Sequence, residues 1–294
     1  MDRGVTSMEH PFNDGRVAPK KARFRRHALA ALGFAAAVIA PAAASPAIPF
    51  VAPLTTDSSH ATPALWEVRD GDTTIYLFGT FHTLDERTLW FDRSVRAAFD
   101  KSGELVLETI VPTDSGEVRA IGRAVAGPRP ASNTFLGATR AAVEQGRATG
   151  LSVDHGADSV LRRAAADQGK SLSGIELFAD QLRTFARIAA APPAPVPAAA
   201  ASAMAPVTLA TLLAAWKAGD TSAFTNMLAG FETKSPAAYR LLIADRNVLY
   251  GEWIAQRLDQ PGTVFVAVGS GHLAGKDSVQ NWLSAKGIEA RRIS

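Results

Sequence analysis

Gly262-Thr263-Val264-Phe265-Val266-Ala267-Val268-Gly269-Ser270-Gly271-His272-Leu273 is the stretch that decides the architecture. Its first seven residues are nearly continuously apolar and β-branched, the pattern of a strand buried on both faces rather than one alternating between core and water. The run ends in a glycine, and a histidine follows three residues later. The same arrangement occurs near the other end of the chain, where Thr73-Thr74-Ile75-Tyr76-Leu77-Phe78 runs into Gly79-Thr80-Phe81-His82. That strand is preceded by Ala64-Leu65-Trp66-Glu67-Val68 across Arg69-Asp70-Gly71-Asp72, whose Asp-Gly pair signals a hairpin turn. Trp90 to Ser102 has helical spacing, with Phe91, Val95, Ala98 and Phe99 on one side. Glu104-Leu105-Val106-Leu107-Glu108 reads as a third strand. After Leu273, Ser278 to Lys286 reads as a short helix, and Gly287-Ile288-Glu289-Ala290 begins a last strand.

Between these parts the pattern changes. From about Ser115 to Tyr250 strand signal is sparse and alanine recurs at helical spacing. Arg140–Ala148, Ser159–Gln168, Glu176–Ala190, Val207–Ala218 and Pro236–Leu258 are the expected helices. Pro192, Pro193, Pro195 and Pro197 interrupt Ala189–Ala203, which reads as an exposed loop. The expectation is an α/β fold with a mixed central sheet formed by the N- and C-terminal parts, interrupted by a mostly helical insertion at about 115–258.

The first 44 residues read as a leader. Lys20-Lys21-Ala22-Arg23-Phe24-Arg25-Arg26 is basic, Ala28 to Ala40 is apolar throughout, and Pro41-Ala42-Ala43-Ala44-Ser45 supplies small residues. These are the three parts of a secretory signal, with cleavage expected after Ala44. A retained anchor is the alternative, since Ala28 to Ala44 is near the lower length limit for a span, though alanine partitions weakly. The expected location is the periplasm or the medium, or attachment to the inner membrane if the anchor stays. Residues 45–62, rich in Pro, Ser, Thr and Ala, read as a loose, flexible lead-in, and 63–294 as the folded domain. With no cysteine in the chain, disulfides, lipidation at a lipobox and thiolate ligands are excluded.

The formal charge of +3 belongs to the leader. Arg3, Arg16, Lys20, Lys21, Arg23, Arg25 and Arg26 outnumber Asp2, Glu9 and Asp14 there. The remainder carries 24 basic and 25 acidic side chains. A domain so nearly neutral has no bulk charge to hold a polyanion, and no nucleic-acid partner is expected.

The two glycine–histidine pairs carry the chemistry. In α/β sheets ligands gather at the carboxyl ends of strands, where side chains leave a rigid frame for the crevice between loops. If the two strands are neighbours, His82 and His272 face one pocket, and Glu108 ends the third strand at the equivalent place. Two imidazoles and a carboxylate suit a divalent ion with a position open to water. Read singly, each histidine is a partner for a loop carbonyl and Glu108 a solvent-facing strand end; the doubling favours function. His155 and His60 read as surface residues. Gly269-Ser270-Gly271 lacks the lysine of a phosphate loop, so nucleotide binding is not expected.

Leu65-Trp66-Glu67-Val68 with Thr74 to His82 resembles the opening of the TraB/PrgY/GumN family. So do Glu104 to Glu108, Gly174-Ile175-Glu176 with Gln181, Trp216-x-x-Gly219-Asp220, Asp245-Arg246-Asn247 and Val266 to Leu273. The likeness spans about residues 62 to 292, with its landmarks in family order. The family is similar to the Tiki metalloproteases and, more distantly, to erythromycin esterases and haem-associated ChaN-like proteins. What the resemblance implies is a metal site of His82, Glu108 and His272, with Glu176 a second acid and Arg246 and Asn247 holding or polarising a carbonyl. A metal-dependent hydrolase of the envelope is then expected, cutting a peptide or amide bond of a peptide or small-molecule substrate. Its ion would be Mn²⁺ or Co²⁺ by analogy and Zn²⁺ by ligand chemistry. Glu176 or Glu108 would take the proton of water, and Arg246 would stabilise the oxyanion. A metal-free esterase using His82 as base, and a non-enzymatic binder of a peptide, glycan or haem-like ligand, are the alternatives.

Overall fold

The computed structural model describes residues 60–126, 144, 146–190 and 207–294. The leader, the lead-in up to residue 59, the proline-containing loop and most of the expected helix Arg140–Ala148 lie outside the described residues.

The strands are β1 (Leu65–Arg69), β2 (Thr73–Thr80), β3 (Glu104–Thr109), β4 (Ser171–Glu176), β5 (Gly262–Gly269) and β6 (Ala290–Arg292). They form one sheet in the order β4-β3-β5-β2-β1-β6. β4, β3, β5 and β2 run parallel, while β1 is antiparallel to both β2 and β6. The late strand β5 therefore sits between the early strands β2 and β3, as its apolar sequence requires. Phe265 and Ala267 point into one apolar cluster and Val264, Val266 and Val268 into the other. This is the mixed α/β fold expected, a central sheet of N- and C-terminal strands interrupted by a largely helical insertion.

Helices cover both faces. On one lie α1 (Arg93–Lys101), α3 (Ala157–Asp167), α5 (Leu209–Lys217) and α6 (Ser222–Lys234). α3 shows how the sequence chooses a face: Ala157, Leu161 and Ala165 recur at four-residue intervals, and all three are buried. Phe78 stacks on Trp90 with centroids 5.4 Å apart and meets Phe265 at 5.7 Å, so aromatic packing joins β2, β5 and the loop before α1. Trp216 on α5 donates its indole N–H to the Gly79 carbonyl at 2.8 Å, which fastens the insertion to the end of β2. On the other face lie α8 (Asp245–Arg257) and α9 (Val279–Ala285), through Tyr250, Ile254, Val279 and Leu283. Gly287, at φ +75°, turns the chain out of α9 toward β6.

The structure adds to the expectation within the insertion. α2 (Ser115–Ala126) and α6 are helices that the expectation did not include, and α4 (Phe178–Ala190) is the body of the expected helix Glu176–Ala190. The expected helix Pro236–Leu258 is divided into the short α7 (Pro236–Tyr239), a π-helical turn, Arg240–Ala244, and α8. The insertion also contributes an edge strand. Ser171-Leu172-Ser173-Gly174-Ile175-Glu176 pairs with β3 alone, and Glu176 closes that strand instead of opening a helix. Only two large apolar residues mark β4, because an edge strand buries too little to require more. The final strand starts later than expected, at Ala290. No helix among the described residues is long and apolar enough to cross a membrane.

Candidate functional site

β5 and β2 end in register, with Gly269 opposite Thr80. Both glycine–histidine turns therefore leave the same edge of the sheet. Gly269 has φ −55°, which any residue adopts, so it is glycine for space rather than for conformation. A Cβ there would lie 3.1 Å from Glu108 Oε1, 3.4 Å from His82 Nε2 and 3.8 Å from His272 Cδ2. All three expected ligand residues thus converge on one backbone atom. Gly79 serves the same crowding, since a Cβ on it would come within 2.9 Å of Ser270 Oγ.

Each imidazole is held from behind. His82 Nδ1 is 2.5 Å from Asp158 Oδ2, in the first turn of α3. That helix is docked tightly, because Ala157 N–H donates to the Phe81 carbonyl and a Cβ on Gly156 would strike the His82 carbonyl at 2.0 Å. His82 Nε2 is buried and has no hydrogen-bond partner. Burial opposes a charge on His82, but the Asp158 carboxylate and its hydrogen bond, aided by Glu108, outweigh it and hold the pKa above its ordinary value.

His272 has the opposite electrostatics. Its Nδ1 is 2.6 Å from Asn247 Oδ1, and the Asn247 amide donates to the Asp277 carbonyl at 2.6 Å. That second bond fixes the amide's orientation, so Nδ1 of His272 donates and Nε2 keeps its lone pair. Burial first, then Arg246 and His82, push the imidazole down to about 3 against the pull of Glu108. His272 is therefore neutral across the physiological range, with Nε2 3.6 Å from Glu108 Oε1 and 3.3 Å from Arg246 Nη1.

Glu108 accepts from the Gly269 N–H at 2.6 Å on Oε1 and from Arg246 Nη2 at 2.6 Å on Oε2. Burial would raise its pKa, yet Arg246, the histidines and the backbone donor hold it far below the usual carboxylate range. Arg246 also donates to Glu176 Oε1, from Nε at 2.8 Å, and the Tyr250 hydroxyl donates to the same oxygen. Desolvating these charges would be costly if any lost its partner, so the cluster is either complete or unstable. Its wall-facing members are His82, Glu108 and His272, which line an open pocket with Thr80, Phe81, Leu209, Leu212, Phe224 and Ile243 among its other walls. Arg246 and Glu176 are not on that wall; they stand behind Glu108.

All six residues singled out in the sequence meet here. Asp158 and Tyr250 went unnoticed. Asp158 lies at the start of α3, far from His82 in sequence, and nothing local marks it; Tyr250 follows Arg246 by one helical turn and could have been found by that spacing. The donors suit a divalent ion chemically. Two neutral-capable imidazoles are pinned at Nδ1 with Nε2 turned inward, the arrangement outer partners give to metal-bound histidines. Glu108 and Glu176 share the one guanidinium of Arg246, while Asp158 pairs with His82 from behind. Among the described residues no three such groups already close on a common ion-sized point.

Fold and site define the class first: an α/β protein with a buried histidine–carboxylate–guanidinium centre at the carboxyl edge of its parallel strands. The family is more particular. The model of the TraB/PrgY/gumN family matches residues 64–121 and 124–292, most of the chain, and this chain belongs to that family. No curated protein and no solved structure matches it.

Proposed function

We propose that this chain is a hydrolase of the cell envelope that cuts a peptide or amide bond at the pocket lined by His82, Glu108 and His272. The observation that carries the reading is the convergence of His82 Nε2, Glu108 Oε1 and His272 around the Cβ-less Gly269 at the mouth of an open pocket. The leader supports the envelope, in solution or tethered to the inner membrane, and family kinship with hydrolase- and esterase-like proteins supports the reaction class.

His82 Nε2, His272 Nε2 and Glu108 are the groups that would hold a divalent ion, Mn²⁺, Co²⁺ or Zn²⁺. Such an ion, when bound, supplies an acidified water and polarises the scissile carbonyl. Asp158 and Asn247 orient the imidazoles from behind, and Arg246, itself fixed by Glu176 and Tyr250, keeps Glu108 ionised. These are positioning residues, because Asp158, Asn247 and Arg246 all lie outside the pocket lining and act through His82, His272 and Glu108. Hydrolysis adds water to the carbonyl carbon, breaks the C–N bond and passes a proton to the departing amine.

The His82–Asp158 contact favours a second reading, in which His82 Nε2 takes the water proton directly and the substrate is an ester. A carboxylate behind the imidazole is the arrangement that orients and stabilises such a base. A non-enzymatic role in holding a peptide, glycan or haem-like ligand is what remains if neither reaction occurs.

The chain lacking residues 1–44 distinguishes them. Calorimetry with Mn²⁺, Co²⁺ and Zn²⁺ should give micromolar binding that His82→Ala and His272→Ala abolish, with amide hydrolysis lost in chelator. Ester hydrolysis that survives chelator, disappears in His82→Ala and shifts its pH profile downward in Asp158→Asn would select the second reading. Neither binding an ion nor hydrolysing amides or esters would sink both.

A further inference from the structure

The pocket has two unlike sides, and only one of them is accounted for by chemistry at a carbonyl. His82, Glu108 and His272 form the polar side, on the sheet edge. The lining also includes Leu209 and Leu212 of α5, Phe224 of α6 and Ile243 of the π-helical turn, with Phe81 next to the reactive histidine in sequence. Every residue of that second group comes from the insertion except Phe81. The lining contains no charged side chain apart from Glu108 and the two histidines.

These apolar residues are not loosely hung. Leu212, Phe224 and Ile243 are 3%, 6% and 2% exposed, continuous with the main apolar cluster. Trp216, one turn beyond Leu212 on α5, anchors that helix to the Gly79 carbonyl. The apolar wall therefore stands at a fixed distance from the glycine–histidine turn. The π-helical turn contributes as well, presenting Ile243 to the pocket while Arg246, one helical turn later, reaches Glu108 behind it.

From this juxtaposition we propose that the insertion builds a specificity pocket for an uncharged branched-aliphatic or aromatic side chain, carried by the acyl part of the substrate beside the scissile carbonyl. The inference rests on the hydrolase reading for the identity of the reacting group, and on the pocket alone for the identity of the side chain. An acidic or basic side chain placed there would lose its hydration and meet no partner on that wall. A small side chain would leave part of the wall uncovered. Such pockets discriminate by about 10- to 200-fold between substrates differing by a methylene or so.

Two series test this separately from the chemistry. In the first, 4-nitroanilides of N-acetylated leucine, phenylalanine, alanine, glutamate and lysine are assayed for kcat/KM with the ion-loaded chain lacking residues 1–44. In the second, the corresponding N-acetyl amino-acid amides are titrated in chelator and binding is followed by NMR. Leucine and phenylalanine members should lead the others by at least about tenfold in both. Leu212→Asp should erase that lead, and the milder Leu212→Ala should shift the preference from leucine toward phenylalanine with the far-UV spectrum unchanged. Hydrolysis of the whole series at equal rates overturns the specificity pocket and leaves the hydrolase reading intact. Selective amide binding without hydrolysis of any member does the reverse. An absence of both, or a preference for glutamate or lysine, overturns the proposal.

Discussion

His272 and Glu108 are held in charge states that acid must undo, and at the scale of single residues this gives the protein a particular pH dependence. His272 has a folded-state value pushed down to about 3 from an unfolded 6.5, so below 6.5 the unfolded chain binds a proton that the folded one refuses. Its contribution is present above pH 6.5 and drains away as pH falls toward 3, at up to about 1.4 kcal/mol per unit. Glu108, with its value lowered, loses its contribution only as pH falls below its unfolded value of 4.5. His82 has the opposite sign: its raised value gives stability that is full below 6.5 and is lost as pH rises through the folded value. Between pH 6.5 and 5.0 the slope therefore comes mainly from His272. Urea unfolding in chelator should show a loss of about 2 kcal/mol across that interval, and His272→Gln should largely flatten it. A flat wild-type profile would mean that the folded state protonates His272. The need for these side chains was readable in the sequence because each lies at or just past the carboxyl end of a strand. Their charge states were not, since these depend on Asp158, Asn247 and Arg246, which reach the site from other elements.

Among the elements, α8 matters most to the site, for it carries Arg246, Asn247 and Tyr250 on one buried face. What sets its distance from α9 is Gly251. A Cβ there would lie 2.2 Å from a Trp282 ring atom, so Gly251→Ala demands that one helix move. Alanine in a helix interior gains about 1 kcal/mol over glycine, while overpacking costs about 1–3 kcal/mol. The clash should win, and the variant should be less stable than wild type. In a Trp282→Ala background the clash is gone and only propensity remains, so the same substitution should become stabilising by about 0.5–1 kcal/mol. Equal destabilisation in both backgrounds would show that Trp282 does not set the spacing. The elements themselves were unequally readable. β5 announces itself through six successive apolar or β-branched residues, because it is covered on both faces. β4 and the π-helical turn do not: one is an edge with a single partner, and the other differs from ordinary helix by hydrogen bonding that leaves no mark on apolar spacing.

On the scale of the whole molecule, the two ends of the domain are strand neighbours, and the chain closes on itself through the sheet. Ile293 N–H donates to the Leu65 carbonyl at 2.9 Å, and β6 pairs with β1 from Trp66 to Val68. Meanwhile β5 is paired on both sides, with β2 and with β3. Connectivity at the closing edge is thus incidental to the packing, whereas β5 is indispensable to it. A circular permutant should separate these two statements. Ser294 joined to His60 by about eight flexible residues, reaching ~26 Å when extended, spans the run from His60 to Leu65 without strain. New termini between Ala200 and Ala201 fall in the stretch whose prolines and alanines read as a loop in the sequence. This permutant should unfold in one transition, within a few degrees of the parent's Tm, since a change of 1 kcal/mol moves Tm by about 2–4 °C in a domain of this size. A chain ending at Pro261, by contrast, leaves β2 and β3 as facing edges with no strand between them, and should show no cooperative transition. If the permutant failed while the truncated chain folded, the late strand would not be the centre of the sheet in solution, and the pocket built on its end would lose its support.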